Sequence, residues 1–132
     1  MEKWIASIFR KKKAEETVEV PLMPAWETVV EKMYDRDLDK FGGEVIRVIY
    51  AADRSMRYVI LKNEKGFLTY RLEKIYPFSE DEWQYVGRHA SALPAMWEQV
   101  RGGQGKSIFS CEADLLGELT AESAYKLYFE PK

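Results

Sequence analysis

The sequence predicts an α+β domain in which an N-terminal helix, a three-stranded antiparallel β-meander and a C-terminal cluster of short helices follow one another. Three observations predict it. Apolar residues recur at helical spacing from Ala25 to Leu38, the period changes to two over three runs between Glu44 and Tyr76, and helix-start signals return at Ser79. The chain has 132 residues, 46% of them hydrophobic and 14% aromatic, which is enough apolar material for one core without disulfide or metal staples.

Each element has its own local reason. Met1 to Arg10 places Trp4, Ile5, Ile8 and Phe9 at helical spacing and is followed by Arg10, Lys11, Lys12 and Lys13, a basic amphipathic segment. Its charges follow the apolar patch and no small-residue cleavage site appears, so it does not read as a secretory signal. Ala14 to Pro24 holds three glutamates and two prolines and reads as a linker or edge segment. Residues 1–23 are therefore expected to be an appendage, and residues 24–132 a single α+β domain.

Trp26, Val29, Val30, Met33, Tyr34 and Leu38 form one helical stripe, with Glu27, Glu31, Lys32, Asp35 and Arg36 on the other side. Gly42 and Gly43 are expected to end that helix. Glu44–Ala51, Met56–Lys62 and Phe67–Tyr76 are rich in Val, Ile, Tyr and Phe and are joined by Ala-Asp-Arg-Ser and Asn-Glu-Lys-Gly, the pattern of a meander. Val45, Ile46, Val48, Ile49, Val59, Ile60 and Leu61 make the first two strands apolar on both faces, so the sheet should be covered on each side. Ser79 stands three residues before Glu82, a capping box opening a helix that Gly87 stops. Pro94 suits a first helical position ahead of Met96, Trp97 and Val100, and Arg101 to Lys106 reads as a Gly-rich loop. Two short helices are expected at Glu112–Leu119 and Ala121–Phe129, the second capped by Thr120.

Several motifs are approached and missed. Gly102-Gly103-Gln104-Gly105-Lys106-Ser107 resembles a phosphate loop, whose backbone amides, Lys and Ser hold a nucleotide, but the first required Gly is Val100. Asp35, Asp37 and Asp39 alternate like the first ligands of a calcium loop, yet positions six and twelve are Lys40 and Ile46. Lys65-Gly66-Phe67-Leu68-Thr69-Tyr70 begins like an RNA-stacking strand and is broken by Leu68 and Thr69. Cys111 and His89 are the sole thiol and imidazole, and they read as a buried filler and a surface residue, not as a nucleophile and base. The carboxylates of Glu80, Asp81 and Glu82 are explained by the helix dipole they meet.

No cofactor and no metal is expected from this residue set, and the formal net charge of −2 removes the overall basic field of a general nucleic-acid binder. A non-enzymatic protein-binding module in a reducing, cytoplasmic setting is the function expected, of the class that includes bacterial toxin-neutralising immunity proteins. Its partner surface is expected at Glu80, Asp81, Glu82, Trp83, Tyr85, Trp97 and Glu98, facing a basic protein. The alternatives are a peripheral membrane accessory protein, touching the inner membrane face through residues 1–13, and a small enzyme around His89.

Overall fold

A computed structural model describes residues 19–89, 91–104 and 107–131. Its elements are helix α1 (Trp26–Met33), strands β1 (Glu44–Tyr50), β2 (Met56–Lys62) and β3 (Leu68–Pro77), helix α2 (Glu80–Val86), strand β4 (Ala95–Gln104), helix α3 (Glu112–Thr120) and a π-helical turn (Tyr125–Phe129). The class is α+β, and the sheet has four antiparallel strands in the order β1-β2-β3-β4. The basic amphipathic segment, with Trp4, Ile5, Ile8, Phe9 and Arg10 to Lys13, lies outside the described residues.

Strands β1 to β3 run where the period-two pattern places them. Tyr58 pairs with Leu72, Ile60 with Tyr70 and Val59 with Val48. On one face Tyr58, Ile60, Leu68, Tyr70 and Leu72 pack against Leu115 and Leu119 of α3, with Tyr125 and Phe129 of the π-turn alongside. On the other face Val29 and Met33 of α1 pack against Ile75, Ala95 and Trp97. Both faces are covered from within this chain, which is why the central strands are apolar on both sides.

The fourth strand corrects the helix expected after Pro94. Ala95 and Trp97 are buried and Met96 is exposed, a period of two, and the backbone pairs Trp97 with Ile75 and Met96 with Tyr76. The spacing of Met96, Trp97 and Val100 fits either element locally. The unpaired edge of β3 decides between them, because a buried strand needs partners for its peptide groups. The Gly-rich stretch opens as an irregularity within β4, where Gly102 adopts φ +74° between the Glu73–Gln99 and Arg71–Gln104 pairs.

Helix α1 is also shorter than the stripe to Leu38 suggests, and neither Gly42 nor Gly43 ends it. It stops at Met33, whose carbonyl accepts from the Trp97 indole at 2.8 Å. Tyr34 is extended and Asp35 and Asp37 are left-handed, at φ 56° and 58°. The Asp35 amide donates to the Tyr50 hydroxyl, which donates back to the Asp35 carboxylate, both at 2.8 Å. Asp tolerates this conformation through its short polar side chain. Thr120 likewise ends α3 instead of capping a following helix, its hydroxyl donating to the Leu116 carbonyl at 2.8 Å. The last helix contracts to the π-turn, where Tyr125 and Phe129 stack against each other and meet Tyr58 at tilted angles.

Of the described residues before Pro24, Val20 and Pro21 lie against α2. The Trp83 indole donates to the Pro21 carbonyl at 2.6 Å, and Val20 lies against Gly87 at the end of α2.

Candidate functional site

Helix α2 begins as its sequence requires. The Ser79 hydroxyl accepts from the Glu82 amide at 3.2 Å, and the Glu82 carboxylate accepts from the Ser79 amide at 2.8 Å. The same carboxylate accepts from the Tyr76 hydroxyl at 3.1 Å. These bonds, the Ser79 amide foremost, hold the Glu82 carboxyl below its usual range. The Tyr76 phenol is raised, first by its bond to Glu82 and then by the negative charge of Glu82 and, more weakly, Glu98.

That last effect shows what the fourth strand accomplishes. Tyr76 pairs with Met96 and Lys74 with Glu98, so all four share one face of the sheet. Met96 is 44% exposed. Glu82 and Glu98 thus lie beside the half-buried Tyr76 and the exposed Met96, with Lys74 opposite Glu98, while Glu80 and Asp81 are exposed in the first turn of α2.

The expected surface is therefore only partly assembled. Glu82 and Glu98 come together at Tyr76, but Trp83 and Trp97 are 5% and 1% exposed and turn inward, so neither ring offers a surface anchor. Tyr85 is half-buried on α2. Tyr76 and Met96 escape a sequence reading that treats Pro94 to Val100 as helix, since a helix puts Met96 and Glu98 on different faces.

A second cluster lies on the opposite face. Arg57 and Glu73 are paired across β2 and β3 and are both 0% exposed. Glu73 Oε1 lies 2.9 and 2.8 Å from Arg57 Nε and Nη2, while Arg57 Nη1 donates to the Arg36 carbonyl at 2.7 Å. Glu73 Oε2 lies 2.7 Å from Lys40 Nζ and 3.3 Å from Arg71 Nη2. The Arg57 guanidinium also sits 4.1 Å from the centre of the Trp97 ring. Strand alternation already put Arg57 and Glu73 among buried neighbours, a signal that apolar counting alone passes over.

On the α3 face, the Tyr58 and Tyr70 hydroxyls donate to opposite oxygens of Glu122, at 2.8 and 2.6 Å. Burial, then these bonds, raises both phenols far above their ordinary value. Two neutral donors on one carboxylate fasten the C-terminal turn to the sheet.

Cys111 is exposed at the start of α3, which corrects its reading as a buried filler, and His89 is exposed after α2. Among the described residues no group of three or more His, Cys, Asp or Glu side chains gathers to hold a metal ion, and no helix is long and apolar enough to cross a membrane. Comparison with protein-family models, curated proteins and solved structures finds no match to this chain.

Proposed function

We propose that this chain is a non-enzymatic protein-binding module whose partner surface is centred on Tyr76 and Met96. The observation that carries this reading is the exposed Met96 beside Tyr76, with the carboxylates of Glu82 and Glu98 next to that ring and those of Glu80 and Asp81 exposed in the same first turn of α2. Apolar anchors with a charged rim are the anatomy of a specific interface, in which the centre supplies affinity and the rim steers encounter. A rim of this sign suits a basic partner. Toxin neutralisation by an immunity-type protein is the finer form of the proposal, with the basic partner an enzyme to be blocked, and a lone exposed cysteine suits a reducing cytoplasm.

The test uses the partner recovered from the native cell and association kinetics at two ionic strengths. Reversing Glu80, Asp81 and Glu98 to Lys, while sparing the cap at Glu82, should slow association and weaken its salt dependence. Met96→Asp should speed dissociation. Unchanged rates in both variants would reject this surface.

A further inference from the structure

The described chain begins beside the candidate surface. The Trp83 indole holds the Pro21 carbonyl at 2.6 Å and Val20 rests at Gly87, so residues 20 and 21 lie along α2. Glu80 stands three residues before Trp83, one turn away on the same side of that helix. Its neighbour Glu82 accepts from the Tyr76 hydroxyl at 3.1 Å. Residues 1–18 lie outside the described residues, and their sequence complements this surface in character. Trp4, Ile5, Ile8 and Phe9 are apolar, and Arg10 to Lys13 are four consecutive cations. With five basic residues against three acidic ones in residues 1–18, the rest of the chain is more acidic than the whole, whose formal net charge is −2.

The sheet is open where the complement would sit. Strand alternation puts Leu72, Lys74 and Tyr76 on the face that α3 covers. That cover of α3 and the π-turn reaches Leu72, whereas Tyr76 is half-buried and its strand partner Met96 is 44% exposed. The tether is long enough. Residues 14–18 span up to about 17 Å when extended, against about 10 Å for the whole of α2. A connection this short holds the cations at an effective concentration on the order of millimolar, so even a weak contact is occupied without a second molecule.

We propose that the segment Trp4 to Lys13 docks on the Tyr76 and Met96 surface of its own chain, its apolar residues on that pair and its cations toward Glu80, Asp81, Glu82 and Glu98. A basic partner then has to displace the segment, which sets a threshold for partner binding. The inference rests on the same reading of that surface as a binding face. Its test needs no partner, so its failure is distinguishable from failure of the partner reading.

The experiment uses the full chain with Cys111→Ser and Ala6→Cys, a nitroxide attached at position 6, and ¹³C-labelled methionine methyl groups followed by NMR. Serine suits the start of α3, where Cys111 makes no side-chain cap bond. The nitroxide should remove most of the intensity of the Met96 methyl and leave that of Met33, buried on the opposite face of the sheet, nearly unchanged. Adding Lys11→Glu, Lys12→Glu and Lys13→Glu should restore most of the Met96 signal. Equal intensities at Met96 and Met33 overturn the proposal, as does a Met96 loss that the triple charge reversal leaves untouched. A third sample mixes nitroxide-bearing chain without ¹³C and ¹³C-labelled chain without nitroxide. A loss of the same size there assigns the contact to a second copy and overturns docking within one chain.

Discussion

Glu73→Gln isolates the electrostatics of the core, because it keeps the side chain's size and removes its charge. Arg57 and Glu73 are both fully buried, and the carboxylate is within 2.7 to 3.3 Å of nitrogens from Lys40, Arg57 and Arg71. Once Glu73 is neutral, Arg57 keeps only neutral partners, among them the Arg36 carbonyl, the Tyr50 hydroxyl and the face of Trp97. Lys40 and Arg71 can turn toward water, whereas Arg57 cannot. Removing one member of a buried ion pair costs about 3–5 kcal/mol, against a total stability of about 5–15 kcal/mol for a domain. With a urea slope of about 1–3 kcal/mol per molar, the midpoint should fall by roughly 2 M. Urea unfolding followed by far-ultraviolet circular dichroism and by tryptophan fluorescence measures it, and the Arg57 contact on Trp97 makes the second signal report the cluster directly. Replacing both partners, Arg57→Met with Glu73→Leu, should recover most of the loss, since no uncompensated charge then stays inside. A loss below about 1 kcal/mol in Glu73→Gln at unchanged slope would refute the reasoning.

Alkaline pH should destabilise the fold through Tyr58 and Tyr70. Their phenols are raised in the native state, so their contribution is complete below about pH 10, the unfolded value, and declines above it as the unfolded chain releases protons that the folded one retains. Tyr70→Phe should flatten the fall in melting temperature above about pH 10, and an unaltered slope counts against it. Gly87→Ala tests the docking of residues 19–24. Gly87 has an ordinary φ of −66°, but a Cβ there would meet the Trp83 carbonyl and Val20 Cγ1 at 2.8 Å, at a cost of about 1–3 kcal/mol. Protection of the Trp83 indole N–H against exchange should fall with it, and a neutral or stabilising result would show that this packing is unimportant.

Much of the fold was legible because it depends on short-range regularities. Val45 to Leu72 alternates between two turns of hairpin length, and Ser79 and Glu82 form a cap that needs no distant partner. The carboxylates of the candidate surface were legible for the same reason, three of them being contiguous. Trp83 and Trp97 were not, because whether a large aromatic points in or out depends on what lies beneath it.

By itself, then, the sequence determined the α+β class, the meander, and the start of α2, each from contacts a few residues apart. Tertiary structure decided the rest. The open edge of β3 made Ala95–Gln104 a strand, and strand alternation then sent Trp97 inward and Met96 outward beside Tyr76. The Trp97 indole and the Tyr50 hydroxyl, 64 and 15 residues from their acceptor and donor, stopped α1 at Met33. The gathering of Lys40, Arg57 and Arg71 on Glu73 joins a loop to two strands. No local spacing encodes it, because a buried carboxylate recruits cations from whatever the fold brings within its reach.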